Sequence, residues 1–147
     1  MNYDIDKLTK VLEEHADYLQ TGDASKRANL SGVDLSDANL TGANLTGANL
    51  TGANLIGADL SGANLSGVDL SFVDLSFAYL SGVNLSHADL SDADLTGVNL
   101  TGVDLSDAWL KNTVLKDTIL TSANLSGAWL NGARLPKYYY LPVNDNG

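Results

Sequence analysis

From Leu30 to Leu135 every fifth residue is leucine, at 22 positions without an exception. A period of five excludes most ways of folding. In an α-helix, five residues advance the chain by about 500°, so successive leucines rotate by about 140° and share no face. In a flat strand an odd period throws them to alternate faces. The period works only if the chain turns once in every unit. The residue two places before each leucine is Ala 14 times, Val 6 times and Thr twice, at Thr113 and Thr118. That residue and the leucine can both point inward across a short extended segment, with the residue between them pointing out. The outward residue is Asn or Asp in 16 of 22 units. The last two residues turn the corner, mostly Ser or Thr followed by Gly, which supplies the positive φ of a tight turn.

These units resemble A-(D/N)-L-(S/T)-G, the tandem motif of the pentapeptide-repeat family, over residues 28–137. The resemblance implies an all-β fold: a right-handed quadrilateral parallel β-helix, a solenoid with four units to a coil. The 22 units then make about five and a half coils, a column roughly 26 Å long at the spacing of neighbouring strands. The leucines and small residues fill its interior, each buried leucine contributing about 1.5–3 kcal/mol. Such a core is solid, with no ligand cavity. The six valines mark places where the narrow interior has room for one more branch.

A column has two ends to close. Residues 1–27 read as an N-terminal helical cap, 28–137 as the β-helix and 138–147 as a C-terminal capping tail. Within the first, Ile5, Leu8, Leu12, Ala16 and Leu19 recur at helical spacing. Asp4 suits the N-cap, Gly22 the C-cap, and Asp6–Lys10 form an i,i+4 pair. Small helices of this kind occur in the family. At the other end the surface pattern decays from Lys111 onward, and the tail carries Tyr138, Tyr139, Tyr140 and Leu141. Those residues either cover the last coil or form a self-association surface. The resemblance brings in a homodimer through the C-terminal end, because some family members pair there.

Residues 20 apart lie above one another in such a column, so four outward ladders can be written. Three departures from Asn and Asp stand out. Trp109 and Trp129 fall on one face of adjacent coils, with Val114 and Ile119 around the corner, and meet either the tail or a partner. Phe72, Phe77 and Tyr79 break the pattern together, as corner aromatics packed on one another or as a contact patch. Residues 31–110 hold ten Asp and no Lys or Arg, and Asp34, Asp69, Asp74, Asp89 and Asp94 fall on the first two faces. Ten charges over roughly 19 Å approach the charge density of B-DNA, about one per 1.7 Å, although here they are spread around the column.

No chemistry is written in the chain. It has no cysteine and two histidines, His15 beside the helical stripe and His87 at a corner near Asp89. Neither stands with an activated nucleophile. No phosphate-binding or metal-ligand spacing is present, so no catalytic, cofactor or metal residue is assigned. A net charge of −10 argues against direct nucleic-acid binding. No apolar run is long enough to span a membrane, and the start lacks the features of a secretory signal, so the cytoplasm is the expected location. The ladders mix Ser, Thr, Ile, Lys and Asn, unlike the regular Thr arrays expected of ice binding. The expected function is a non-enzymatic module presenting a rigid surface to a protein partner. The alternative is a DNA mimic that binds a DNA-handling enzyme, since some members of the family bind DNA gyrase and protect it from quinolones by resembling DNA.

Overall fold

Parallel β-bridges join residues twenty apart, from Asn29–Asn49 and Asp34–Asn54 up to Trp109–Trp129 and Val114–Arg134. The structure, a computed structural model, describes residues 3–137. Each bridge is one rung. The leucine N–H donates to the carbonyl one coil on, as Leu75 to Asp94 at 2.8 Å, and the outward residue donates one coil back, as Asp94 to Val73 at 2.9 Å. Four ladders result. The first face carries Asn29, Asn49, Asp69, Asp89, Trp109 and Trp129, and the second Asp34, Asn54, Asp74, Asp94, Val114 and Arg134. Tyr79 and Ile119 lie on the third, Asn84, Asp104 and Asn124 on the fourth.

The corners explain how five residues make one side. Across each corner the small inward residue donates to the carbonyl of the preceding leucine, as Ala53 to Leu50 at 2.9 Å. The second corner residue has positive φ and the first does not, as at Ser71–Phe72 with Phe72 at 57°. This combination marks a type II turn, whose third position favours glycine. Asp, Asn, His, Ser and Phe fill the remaining corners in the same conformation.

The leucines from Leu30 to Leu120 are buried in one cluster with the alanines and valines. Backbone rungs report how tightly that interior is filled. The residue after Ala or Thr donates to the preceding coil at 2.9–3.0 Å, whereas after Val68, Val73 and Val83 the distance is 3.2–3.3 Å. After Val98 and Val103 this bond is absent, although the Asn84–Asp104 bridge persists through the bond from Leu85 N–H to Asp104. Valine therefore does not simply occupy spare room, as the sequence suggests; its second methyl holds adjacent coils apart. At the last coil Ala123, Leu125, Ala128, Leu130 and Leu135 are only partly buried. The expected covering by Tyr138–Leu141 falls outside the described residues.

Helix α1 spans Ile5–Thr21. The Asp4 carboxylate accepts from Asp6 N–H and Lys7 N–H, and Gly22 at φ 74° closes the other end. Its packing face differs from the expected stripe. Leu8 and His15 are buried and Val11, Leu12 and Tyr18 half-buried, whereas Ile5, Ala16 and Leu19 are exposed. The difference has a hydrogen-bonding cause. Ala28 N–H begins the repeat with no preceding leucine carbonyl to bond, and His15 Nδ1 accepts it at 3.0 Å. Seating that imidazole turns the helix toward residues 8, 11, 15 and 18. Lys10 pairs with Glu14 at 3.9 Å, not with Asp6. No helix among the described residues is long and apolar enough to cross a membrane.

Candidate interaction surfaces

The preference for Asn or Asp at the outward position comes from the backbone. At all 16 such positions Oδ1 accepts the N–H two residues on, at 2.8–3.2 Å. This Asx turn occupies a corner N–H that the coil itself leaves open. Ser and Thr hydroxyls add a second bond to the same oxygen, as Ser71 to Asp69 at 2.7 Å. Those bonds hold several carboxyls below the ordinary aspartate range. For Asp34 and Asp59 the serine hydroxyl is the larger cause, for Asp104 the Ser106 N–H. Burial opposes the shift most strongly at Asp69, where the bonds from Ser71 still prevail.

The same geometry settles the fourth face. Asn44, Asn64 and Asn84 turn Oδ1 to their own corners, and no amide bond joins them to one another. Amide bonds between coils occur instead where an Asn follows an Asp: Asn54 to Asp34, Asn112 to Asp92 and Asn124 to Asp104, at 3.0–3.2 Å.

Six outward residues offer no such oxygen: Tyr79, Trp109, Val114, Ile119, Trp129 and Arg134. Four of them are the apolar group singled out in the sequence: Trp109 and Trp129 lie together on the first face, Val114 on the adjoining second and Ile119 on the third. The Trp109 and Trp129 rings stack with centroids 5.8 Å apart and planes 18° from parallel. They remain 53% and 62% exposed, and Ile119 51%. The coil gives up a turn hydrogen bond at each position and, among the described residues, leaves large apolar area uncovered, so its own rungs and turns do not account for them; the tail that could meet them lies outside the described residues. Lys111, Lys116 and Arg134 are exposed beside this strip, and none forms an ion pair among the described residues. In the sequence Lys111 and Lys116 read as decay of the repeat at its corners, whereas counting by twenty places Arg134 on the second ladder.

Phe72, Phe77 and Tyr79 are 63–65% exposed. The two phenylalanines do not pack on one another, contrary to the simpler expectation: ring pairs among the described residues are His15–Tyr18 and Trp109–Trp129. Phe77 points along its own corner edge instead. Phe77 lies over Gly97, where an added Cβ would come within 2.8 Å of the ring. Both hold φ of 57–59°, unusual for bulky side chains. Asp74 lies between them on the second face, and Asp69, Asp89 and Asp94 surround it on the two faces. Asp34 lies two coils before Asp74 on the same ladder.

His87 faces Asp107 one coil on, at 3.9 Å, rather than acting with Asp89. The described residues hold no group of His, Asp and Glu able to bind a metal ion. Two grooves of about 340 and 320 Å³ flank α1, one along Leu12, Ala16 and Ala43, the other along Tyr3, Leu8 and Leu35.

The repeats match the family model for pentapeptide repeats in 8 copies, over residues 28–67, 69–107 and 99–135. Among solved structures, a pentapeptide repeat protein from the Arabidopsis thaliana thylakoid lumen aligns at 29% identity. The alignment covers 80% of this chain and 70% of that one, with a TM-score of 0.52. QnrB1, a plasmid-mediated fluoroquinolone resistance protein, aligns at 19% identity over 72% of this chain and 69% of its own, with a TM-score of 0.53. A search of curated proteins gave no match. The matches imply the right-handed quadrilateral β-helix; at 19% identity, the likeness to QnrB1 is one of fold alone.

Proposed function

The chain belongs to the pentapeptide-repeat family, and from that premise we propose that it is a non-enzymatic interaction module. It is a rigid column of about five and a half coils, closed at its first end by α1, that presents an apolar strip to a protein partner. One observation carries this reading: Trp109, Val114, Ile119 and Trp129 stand where the coil uses Asn or Asp to bond its own corners, with both indoles exposed and stacked. Aromatic residues of this kind anchor protein interfaces. The test is capture from a lysate of the native host with wild type and with Trp109→Asn/Trp129→Asn. Asparagine restores the Asx turn, so the variant keeps its circular dichroism spectrum and is expected to lose the partner. Equal capture by both proteins would contradict the proposal.

A DNA mimic is the second reading, favoured by a separate observation. Asn and Asp make the same turn bond, so the fold does not require the charge, yet Asp34, Asp69, Asp74, Asp89 and Asp94 load the first two faces with it. Such a mimic needs no direct nucleic-acid contact and no cofactor. Added to a gyrase supercoiling assay, the protein should alter the enzyme's activity. Asp69→Asn, Asp74→Asn, Asp89→Asn and Asp94→Asn together should abolish that effect while moving the melting midpoint little. An effect that survives all four substitutions would dismiss the mimic.

A further inference from the structure

Charge is segregated along this column. Residues 31–110 carry ten Asp and no Lys or Arg, whereas residues 111–137 carry four basic residues and one acidic residue. Both regions occupy the same side. The first face reads Asp69, Asp89, Trp109, Trp129 in successive coils, and the second reads Asp74, Asp94, Val114, Arg134. Exposed aromatics accompany each sign: Phe72 and Phe77 in the acidic stretch, and Trp129 in the basic one, stacked on Trp109 at the boundary.

We propose that this side binds a second copy of the chain, antiparallel, about a two-fold axis lying between the coils of Asp94 and Val114. The proposal rests on the docking reading above and names its partner. A two-fold in the interface plane, perpendicular to the column, reverses coil order and keeps each face opposite itself. The acidic coils of one copy then meet the basic coils of the other, twice over. Arg134 faces Asp74 of the second copy, and Lys111 falls opposite its Ser91, beside Asp92. Trp129 falls opposite Asp69 and beside Phe72 of the second copy. The corner opposite Phe72 is Gly132, which has no side chain to obstruct the ring. The pattern is self-complementary in charge and bulk, as an isologous contact requires. A parallel alignment would set acidic coils against acidic coils and basic against basic, and is repelled.

The test is sedimentation equilibrium of the full chain, with circular dichroism confirming that each variant is folded. Wild type should dimerise, more weakly as salt rises. Arg134→Asp and Asp74→Arg should each weaken dimerisation by more than about tenfold. An equimolar mixture of the two variants should dimerise again, because both crossed contacts then join opposite charges. The double variant should recover for the same reason. A wild type that stays monomeric, single variants that dimerise as wild type does, or a mixture that stays monomeric would each overturn the pairing. If the pairing fails while Trp109→Asn/Trp129→Asn still loses a captured lysate partner, only the second-copy assignment falls. If neither association nor capture occurs, the docking reading falls with it.

Discussion

Leu75→Ala should lower the unfolding free energy by about 2–5 kcal/mol, the range for truncating a fully buried leucine. Leu75 has 0% exposure and lies in the middle of the column, between Leu55 and Leu95, which are equally buried. Its neighbours are held by rungs of 2.7–2.8 Å on either side, Leu55 N–H to Asp74 and Leu75 N–H to Asp94. The backbone cannot collapse into the vacated space without stretching those rungs, which places the expected loss toward the upper part of the range. Leu130→Ala supplies the contrast. Leu130 is only partly buried in the last coil, so its truncation leaves less of a cavity. Chemical denaturation of both variants checks the prediction. Equal losses at the two sites would mean that burial in the stack is not what stabilises the leucines.

The second large effect concerns His15. His15→Ala removes the acceptor for Ala28 N–H and the ring stacked on Tyr18 at 5.3 Å. A buried donor left without a partner costs about 1–3 kcal/mol, and the lost ring adds a cavity. The same site sets a pH dependence. Burial is the main cause that lowers the His15 pKa below its ordinary 6.5; the Thr46 backbone opposes it, and the Arg27 charge adds to it. Above about pH 6.5 the imidazole is neutral in folded and unfolded chains, and its full contribution is present. As pH falls below that value, the unfolded chain takes up a proton that the folded one resists, so stability declines until the folded-state pKa is reached. The aspartates with lowered pKa values act in the same direction but in a more acidic window, below about 3.8. Melting curves between pH 7 and 5 should therefore show a loss that His15→Gln reduces. A flat profile in wild type would contradict the buried, proton-refusing imidazole.

The coil was legible in the sequence because its cause is local. A leucine every fifth residue, with a small residue two places before it, requires a turn in every unit; the resemblance to the pentapeptide repeats supplies four units to a coil, and the ladders follow by counting twenty. That counting also placed Trp129 above Trp109. The face of α1 was not legible in the same way. Residues 5, 8, 12, 16 and 19 make as good an apolar stripe as 8, 11, 12, 15 and 18, and hydropathy counts His15 against the second. The need that decides between them, an acceptor for Ala28 N–H, arises only when the helix meets the first coil. The phenylalanines show the limit from another side. The Phe77 ring reaches the corner twenty positions on, at Gly97, and does not meet the ring of Phe72 on the adjacent corner of its own coil. The meaning of Asn and Asp lay in the open, two residues from the N–H they bond, but a surface reading of polar residues passed over it.

Methyl–methyl nuclear Overhauser effects from a leucine-labelled sample test the twenty-residue coil most directly. Leu75 methyls should show cross-peaks to Leu55 and Leu95, and the series should continue along the column at the same spacing. Cross-peaks from Leu75 to Leu60 and Leu90 in their place would mean a three-sided coil of fifteen residues, and would contradict every ladder described above.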